Sequence, residues 1–421
     1  MTINAAPNHR QAESPAPTRE VLDVRRTTCC VVGGGPAGAV LALLLARKGI
    51  PVTLLEAHGD FDRDFRGDTL HPSVMENMAE LGLADCLLGL RHSRMPALTF
   101  DFDGVPVAFA DFRLLRTRFP YITMMPQAEF LRFITGEAAR YPSFRLVMGA
   151  SVRALIEEGG EVRGVRYRAR DGLHEVRALL TVGADGRFSR VRRLAGFEPV
   201  KTSTPMDVLW FRLPRRPDEE VTVARFAGGR IGILLDRNEQ WQVAYVIPKG
   251  DYQKLHAAGL GELRETFARL RPEVAGRVGH LREWGQVSVL SVESDRLPKW
   301  YRPGLLMIGD AAHTMSPVAG VGINYAIQDA VVSANVLGDS LGEGTVSTRD
   351  LARVQRRREW PTRVIQALQA QIQRRVLAPA LDPTKPFAPP GFMRFLPRVP
   401  LLRRLPARLI GFGLWPVHVK K

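Results

Sequence analysis

The sequence contains little cysteine and no long apolar run. Its 421 residues include only 3 cysteines, of which Cys29 and Cys30 are neighbours. So few thiols cannot hold a secreted fold together through disulfides, and we therefore expect a cytoplasmic protein. The longest apolar stretch, residues 37–46, is about half the length of a membrane-spanning helix, so no such helix is predicted. A chain of this length exceeds the usual size of one hydrophobic core, which predicts at least two packed units.

Acidic residues are scarce at the C-terminal end. The whole chain has 59 Lys+Arg against 43 Asp+Glu, but residues 351–421 hold 15 of the basic residues and only two acids, Glu359 and Asp382. An overall excess of this size can indicate nucleic-acid binding. The excess lies at one end, however, and no zinc-finger, RNA-recognition or homeodomain motif is present. We therefore expect no nucleic-acid partner, and we look for the functional site in the nearly balanced remainder.

The last segment, residues 391–421, leaves alternatives open. It combines seven Lys/Arg and no acid with many large apolar side chains. Such a mixture can lie on an anionic membrane surface, which predicts peripheral membrane contact as one alternative. Pro397, Pro400 and Pro406 rule out a long continuous helix. The same apolar residues can instead pack on the body of the protein or on a homodimer partner, and we favour packing on the protein because large exposed apolar patches are rare.

Apolar patterning predicts an α/β fold with two interleaved units. A strand at Thr27–Val32, a glycine loop, an apolar helix and a strand at Val52–Leu55 form a β-α-β start. Alternation around Asp103-Gly104 predicts a hairpin, and residues 205–296 contain short β-rich runs. We therefore predict a Rossmann-like domain interrupted by a mostly antiparallel β-sheet substrate domain. The predicted boundaries are 1–24 for a disordered tail, 25–96, 129–200 and 298–345 for the Rossmann-like domain, 97–128 and 201–297 for the sheet domain, and 346–421 for a helical basic C-terminal extension.

The glycine loop carries the strongest chemical signal. Gly33, Gly35 and Gly38 satisfy G-x-G-x-x-G directly between a strand and a helix, the context that gives this motif its meaning. The first glycine permits the tight turn, the second admits a pyrophosphate, and the third lets helix and strand pack closely. The helix N-terminus offers free N–H groups to phosphates. Glu56 ends the next strand, where its carboxylate can accept hydrogen bonds from a ribose, so we predict a bound dinucleotide.

A second glycine-rich stretch follows a buried strand far downstream. It contains Gly309-Asp310, and then Gly320, Gly322 and Asn324. The Asp310 carboxylate can accept hydrogen bonds from a polyol chain, and the glycines let the backbone pass close to a flat ring. A helix is predicted from about Ile323, and its positive end would stabilise anionic charge on such a ring.

These blocks, in this order, resemble the class A flavoprotein monooxygenases, the para-hydroxybenzoate hydroxylase-like family of FAD-dependent aromatic hydroxylases. Residues 33–38, Gly183-Ala184-Asp185-Gly186 and Gly309-Asp310 match its three blocks, and Arg66-Gly67 and Gln127 match flavin-contacting positions. The resemblance covers residues 27–345 approximately. The cofactor-binding residues that the sequence and the resemblance together predict are Gly33, Gly35, Pro36, Ala37, Gly38, Glu56, Arg66, Gln127, Asp185, Asp310, Gly320, Gly322 and Asn324.

The resemblance implies a monooxygenase. FAD would be tightly bound and NAD(P)H would be a transient reductant without its own nucleotide-binding fold, in agreement with a single G-x-G-x-x-G in the sequence. Reduced flavin would take up O2 as a hydroperoxide and hydroxylate an aromatic or polyketide-like small molecule. The cofactor supplies the chemistry and the protein supplies position and exclusion of water. No metal site and no catalytic side chain is predicted.

Two other flavin chemistries stay open. Flavin-dependent halogenases share the dinucleotide loop but carry Trp-x-Trp-x-Ile-Pro, whereas residues 241–248 here begin with Trp241 and lack the paired tryptophans. A flavin reductase or dehydrogenase acting on a lipid-like substrate is the other alternative.

Several residues have a structural interpretation beside the functional one. Asp185 can contact the cofactor or cap the following helix. His71 and His313 lie in suitable loops for proton transfer, but we favour hydrogen-bonded structural histidines. Four aromatic residues of the predicted sheet domain can line a substrate pocket or simply pack within the sheet. They are Trp210, Phe211, Trp241 and Tyr245.

Overall fold

The computed structural model describes most of the chain. The described residues are 21–62, 68–102, 104–202, 204–217, 219, 221–384, 387, 391 and 400–420. Arg66 and residues 1–20 of the predicted tail lie outside them.

Strands occupy the whole length of the chain up to the late glycine-rich stretch. In chain order they are β1 (Val21–Val32), β2 (Val52–Leu55), β3 (Thr69–Leu70), β4 (Ser93–Met95), β5 (Ala97–Phe102), β6 (Val105–Asp111), β7 (Ile122–Met124), β8 (Phe144–Val147), β9 (Ser151–Glu158), β10 (Glu161–Arg168), β11 (Leu173–Gly183), β12 (Val200–Thr202), β13 (Met206–Pro214), β14 (Ala224–Ala227), β15 (Arg230–Asp236), β16 (Gln240–Pro248), β17 (Ser288–Ser291), β18 (Ser294–Arg296), β19 (Tyr301–Arg302), β20 (Leu305–Met307) and β21 (His313–Thr314).

Helices alternate with these strands and then dominate the C-terminal end. In chain order they are α1 (Pro36–Arg47), α2 (Pro72–Glu80), α3 (Ala84–Leu88), α4 (Gln127–Ala138), α5 (Arg190–Leu194), α6 (Tyr252–Ala258), α7 (Leu260–Leu270), α8 (Gly322–Gly342), α9 (Thr348–Ile372), α10 (Ala378–Ala380) and α11 (Arg404–Phe412). No helix in the described part of the chain has the length and apolar character that a membrane crossing requires.

The first large sheet is built on parallel strands. Within the described residues it has eight strands, and its central order is β19-β20-β11-β1-β2-β8, with β10 and β9 continuing from β11. The neighbours of β1, which are β11 and β2, run parallel to it. Cys29 and Val31 face the cluster that contains α1, whereas Cys30 and Val32 face a second cluster on the other side. Burial on both faces explains why the end of this strand is an unbroken apolar run.

The start of β1 differs from the prediction. The strand begins at Val21, six residues before the expected start at Thr27, so residues 21–24, which the sequence assigned to a disordered tail, are in a strand. Its first half carries charged residues and is partly exposed, and it pairs with the beginning of β11 from Leu173 onward. An exposed, charged strand has no apolar run, and for that reason the sequence pattern did not reveal it.

The second large sheet is mostly antiparallel, as predicted. Its seven described strands follow the order β17-β13-β16-β15-β14-β5-β6, and only β14 and β5 pair in parallel. The hairpin predicted at Asp103-Gly104 is present as β5 and β6, although Asp103 itself lies outside the described residues. One face of this sheet packs against α7, and the other packs against Val318 and the C-terminal residues Leu377 and Phe387.

Candidate functional site

The carboxyl ends of four parallel strands meet at one edge of the first sheet. In the pairing register, Val32 lies beside both Leu55 and Gly183, and Gly183 lies beside Met307. The glycine loop, Glu56, Asp185 and Asp310 directly follow these four strand ends. We call this group the strand-end cluster, which consists of residues 33–38, 56, 184–185 and 309–310. Ligands of open parallel sheets bind outside such strand ends.

Each of the three motif glycines has its own structural role. Gly33 has a φ of 107°, and a Cβ atom on it would lie 2.4 Å from the carbonyl oxygen of Ala184. A Cβ atom on Gly38 would lie 2.0 Å from the carbonyl oxygen of Gly33, so helix and loop can pack this closely only without a side chain. A Cβ atom on Gly35 would meet no non-neighbouring heavy atom within 4 Å. Gly35 therefore borders open space at the helix N-terminus, where a phosphate can approach.

Helix α1 presents its N-terminus to that space. Gly35 is the N-cap and Pro36 follows it, and no side chain caps the first turn. The first N–H groups of a helix have no partner within the helix, so an uncapped N-terminus is suited to bind an anion. Ala37, in the same turn, is buried.

Glu56 fixes the shape of the glycine loop. One carboxylate oxygen accepts a hydrogen bond from the Gly34 N–H at 2.8 Å. The other accepts one from the His58 N–H at 3.0 Å and lies 2.7 Å from His58 Nδ1. A carboxylate has about four lone-pair sites and can accept several hydrogen bonds at once. The predicted ribose contact of Glu56 stays a prediction, and the structure adds this role in the loop.

The late glycine-rich block packs directly on α1. Gly309 has a φ of 59°, and a Cβ atom on it would lie 3.1 Å from the Cβ of Ala37. Asp310, the next residue, is half-buried beside this junction. The glycine loop and the late glycine-rich block are about 270 residues apart in the chain. They nevertheless meet at the same helix N-terminus.

A buried ionic network holds the loop that carries Asp310. Asp329 accepts a hydrogen bond from the Gly309 N–H at 2.9 Å and from Arg358 Nε at 2.7 Å, and it lies 2.6 Å from His313 Nε2. Burial alone would raise the pKa of Asp329, but the charges of His313 and Arg358 and their hydrogen bonds outweigh burial and hold it below its ordinary value. His313 is thus a structural histidine, as we favoured. Neither Asp329 nor Arg358 was singled out from the sequence.

Asp185 caps a helix. Its two oxygens accept hydrogen bonds from the Ser189 hydroxyl at 2.5 Å and from the N–H groups of Arg190 at 2.7 Å and Val191 at 3.0 Å. Burial raises the pKa of Asp185, and these hydrogen bonds oppose the rise only in part. The capping interpretation therefore describes its contacts, and the predicted contact with the cofactor stays a prediction.

A second group of residues surrounds the start of α8. The Thr69 hydroxyl donates to the Gly320 carbonyl at 3.1 Å, and the His71 N–H donates to the Asn324 side-chain oxygen at 3.1 Å. The Gln127 N–H donates to Asp68 at 3.3 Å. We call this group the ring-end cluster, which consists of Asp68, Thr69, His71, Gln127, Gly320, Gly322 and Asn324.

The ring-end cluster has unused hydrogen-bonding capacity. Helix α8 begins at Gly322 with no side-chain cap, and a Cβ atom on Gly322 would come no closer than 4.0 Å to Met315. Asn324 Nδ2 and His71 Nε2 are buried and have no hydrogen-bond partner. Buried polar atoms normally find partners. Two uncapped helix N-termini, each with an open glycine, fit a molecule that carries a pyrophosphate at some distance from a polar ring, as FAD does.

An ion pair joins the ring-end cluster to the second sheet. Arg237 Nη2 contacts the Asp68 carboxylate, and Arg237 Nε donates to the side-chain oxygen of Gln242 at 2.8 Å. Burial raises the pKa of Asp68 to about 6, and the nearby guanidinium of Arg237 only partly offsets burial. This pair could not be predicted from the sequence, because its members are 169 residues apart.

The four aromatic residues considered for a substrate pocket do not share a face. Phe211, Trp241 and Tyr245 are buried on the side of the second sheet that packs against α7, so for these three the packing interpretation is correct. Trp210 lies on the opposite face, in the cluster that also contains Val318. Strand alternation separates Trp210 from Phe211.

The face that carries Trp210 is lined by aromatic side chains. Phe100 and Phe109 stack with ring centroids 5.2 Å apart, and both are only half-buried. Trp210 is also half-buried, and its indole N–H has no partner. Val318, from the loop between Gly309 and Gly322, packs on this face. The sequence signal that could have found Phe100 and Phe109 is their alternation in the predicted hairpin.

Comparisons with known proteins agree with this geometry. A family model described as an FAD binding domain matches residues 26–367. The 6-methylpretetramide 4-monooxygenase of Streptomyces rimosus is 35% identical over 363 residues, which cover 86% of this chain and 87% of that protein. The crystal structure of PqsL from Pseudomonas aeruginosa, described as a probable FAD-dependent monooxygenase, superposes with a TM-score of 0.73 at 21% identity, over 85% of this chain and 98% of that one.

A flavin-dependent brominase, Bmp2, has a similar fold. Its TM-score is 0.73 at 16% identity, and the match covers 92% of this chain and 94% of that one. At such identity the likeness concerns the fold alone. The family model and the Streptomyces rimosus relative go further, since they span most of the chain. On this basis the chain belongs to the FAD-dependent monooxygenases.

Proposed function

We propose that this monooxygenase hydroxylates an aromatic or polyketide-like small molecule, with NAD(P)H as a transient reductant. The observation that carries the proposal is the half-buried aromatic face of the second sheet, with Phe100, Phe109 and Trp210, lying against the loop that connects the two clusters. We assign coenzyme binding and substrate binding to different predicted domains. Residues 25–96, 129–200 and 298–345 bind the coenzyme, and residues 97–128 and 201–297 bind the substrate.

The strand-end cluster would hold the pyrophosphate of FAD and its neighbouring hydroxyl groups. The N–H groups at the start of α1 donate to the pyrophosphate, Gly35 leaves room for it, and Glu56 and Asp310 accept from hydroxyl groups. The ring-end cluster would hold the flavin ring through Asn324, Gln127 and the start of α8, with Arg66 in the segment just before Asp68. Support comes from the open space at Gly35 and Gly322 and from Nδ2 of Asn324, which has no hydrogen-bond partner.

The bound FAD supplies electron transfer and the transfer of one oxygen atom from O2. The chain's own residues position the substrate and exclude water from it. The aromatic pair of Phe100 and Phe109 would stack on a flat substrate, and the unpartnered indole N–H of Trp210 would donate to an oxygen on it. Val318 and Leu377 close the same face with apolar atoms, which excludes water from the reacting atoms.

Hydroxylation has more support than halogenation. The 35% identical relative is named a monooxygenase, whereas the brominase shares only the fold. Trp241, which begins the stretch that we compared with the halogenase motif, is buried on the α7 side of the second sheet, away from Val318. The reductase alternative has no residue in the described structure that favours it.

We also propose that the C-terminal segment packs on the body of the protein. Residues 404–420 pack on the body of the protein, which supports the alternative that we favoured, while Leu405 and Trp415 stay exposed. Peripheral membrane contact and a homodimer therefore stay predictions, as does a cytoplasmic location.

Oxygen uptake tests the proposal. We expect NAD(P)H-driven uptake that is stimulated by phenols or fused aromatic substrates, with the hydroxylated product detected by mass spectrometry. Bromide should give no brominated product in the same assay. Bromination, or electron transfer to a dye without any uptake of oxygen into the product, would contradict the proposal.

A further inference from the structure

The C-terminal segment binds the body of the protein through its main chain. We call residues 404–420 the C-terminal clasp. Asn77 Nδ2 donates to the Val417 carbonyl at 2.7 Å, and Asn335 Nδ2 donates to the His418 carbonyl at 2.7 Å. Glu80 accepts from the Val419 N–H at 2.7 Å. These contacts fasten the clasp to α2 and α8 by side chains that belong to the body.

The clasp also contacts the second sheet. Ala407 and Ile410 of α11 are buried in one apolar cluster with Ala110 and Phe112, which lie at the end of β6 and just beyond it. The clasp therefore bridges helices α2 and α8 and the second sheet. A Cβ atom on Gly411 would lie 3.2 Å from Pro72, so the backbone of the clasp runs close to the first turn of α2.

His71, a member of the ring-end cluster, connects the clasp to the rest of that cluster. The imidazole is fully buried, and its Nδ1 lies 2.7 Å from the Ile410 carbonyl. A carbonyl can only accept, so Nδ1 carries the proton and donates, and neutral His71 keeps a lone pair on Nε2. That Nε2 atom has no partner, and it lies 3.8 Å from where a Cβ atom on Gly320 would be. The His71 N–H also holds the Asn324 side chain.

We propose that His71 is a positioning residue through which the docked C-terminal clasp holds the ring-end cluster in its flavin-binding arrangement. The inference rests on the proposed flavin contacts of that cluster. Ile410 fixes the tautomer and the plane of the imidazole, and the imidazole in turn borders the loop at Gly320, while the His71 backbone orients Asn324. Undocking the clasp would release both contacts at once, so FAD binding and clasp docking should be thermodynamically coupled.

Coupling of this kind is reciprocal. FAD should therefore slow hydrogen exchange at amides of residues 404–420, although no predicted FAD contact lies in that segment. Conversely, a variant whose clasp docks more weakly should bind FAD less tightly. The Asn77→Ala/Asn335→Ala variant removes two clasp contacts that no member of the ring-end cluster makes, and it leaves every predicted FAD-binding residue intact.

The experiment uses the full chain and FAD itself. We would measure the FAD dissociation constant by flavin fluorescence, and hydrogen exchange of residues 404–420, for the wild type and for Asn77→Ala/Asn335→Ala. The matched control is Thr266→Ala, which removes a buried hydroxyl of α7 on the far side of the second sheet. We expect FAD affinity to fall about fivefold in the clasp variant, the equivalent of one neutral hydrogen bond, and to stay unchanged in the control.

Two substitutions separate the two nitrogens of His71. His71→Asn keeps an N–H near the position of Nδ1 and loses Nε2, whereas His71→Gln places an amide near Nε2 and loses the donor to Ile410. If the donor to Ile410 is what matters, His71→Asn should keep the clasp protected from exchange and His71→Gln should not. The flavin absorption spectrum reports the ring environment in both variants.

The outcomes distinguish this inference from the proposed function. A clasp that exchanges faster in Asn77→Ala/Asn335→Ala while FAD affinity stays within twofold of the wild type would overturn the role of the clasp only. Exchange of residues 404–420 that is unaffected by FAD would overturn it as well. A wild type that does not bind FAD would instead overturn the assignment of the flavin site itself.

Discussion

The two ends of the candidate site are built in different ways. The strand-end cluster is shaped by backbone, since Gly33, Gly35 and Gly38 are placed by four neighbouring strand ends and one helix N-terminus. The ring-end cluster is shaped by side chains from distant segments, such as the Asp68–Arg237 ion pair and the contact of His71 with Ile410. Backbone geometry follows from local sequence, whereas contacts between distant segments do not. The shape of the strand-end cluster could therefore be predicted from the sequence, whereas the contacts that Asp68 and His71 make in the ring-end cluster could not.

Substitution of Gly38 should break the strand-end cluster most severely. In Gly38→Ala the new Cβ would lie 2.0 Å from the Gly33 carbonyl oxygen, so the loop and helix cannot keep their packing. We expect loss of folded protein, measured as yield and as a cooperative melting transition. Gly136→Ala is the matched control, because Gly136 is also inside a helix but has open space around it. The free energy of unfolding of this control should rise by about 0.5–1 kcal/mol. Normal folding of Gly38→Ala would contradict the account.

Substitution of Asp329 should be the next largest effect. Asp329→Asn leaves Arg358 buried without its anionic partner, which typically costs about 3–5 kcal/mol in the free energy of unfolding. Urea unfolding measures this loss. Asp350→Asn is the control, because Asp350 forms a capping box with the N-cap Ser347 at the start of α9, and its free energy of unfolding should fall by at most about 1 kcal/mol. Equal losses in the two variants would show that the network behind Gly309 does not hold the loop.

The pH dependence of stability tests the burial of His71. Burial lowers the pKa of His71 to about 4 from its ordinary value of 6.5. The unfolded chain therefore takes up a proton below pH 6.5 while the folded one does not, so stability is full above pH 6.5 and is lost as the pH falls toward 4. This contribution is about 3 kcal/mol.

The variant His71→Asn isolates that contribution. Between pH 7 and pH 4, its free energy of unfolding should fall by about 3 kcal/mol less than that of the wild type. Asp68 acts in the opposite direction, because its raised pKa of about 6 makes stability fall as the pH rises from 3.8 to 6, but this contribution is common to both proteins. Parallel pH profiles would contradict the burial of a neutral His71.

The smallest expected effect concerns the aromatic face. Trp210→Phe keeps a ring but removes the unpartnered indole N–H. We expect KM for an oxygen-bearing aromatic substrate to rise about fivefold, the equivalent of one neutral hydrogen bond, with kcat nearly unchanged. Trp241→Phe, on the α7 side, should leave KM unchanged. A rise in KM for both variants, or for neither, would remove Trp210 from the proposed substrate site.

The fold could be predicted from the sequence wherever apolar patterning or glycine chemistry is local. The strand at Val52–Leu55, the hairpin of the second sheet and the helix that begins near Gly322 were all expected. The sequence failed where a feature depends on tertiary neighbours. The charged first half of β1 forms a strand only because β11 pairs with it. Alternation shows that Trp210 and Phe211 face opposite ways without showing which of them lies on the side of Val318.

The central claim is that the space beside Gly35 holds the pyrophosphate of FAD, and Gly35→Val tests it most directly. The valine side chain would enter open space, so the variant should fold with nearly the same melting temperature as the wild type. The FAD dissociation constants of the two purified proteins, measured side by side by flavin fluorescence, give the answer. The account predicts micromolar or tighter binding by the wild type and no measurable binding by Gly35→Val. Equal binding by the two proteins, or none by the wild type, would contradict it.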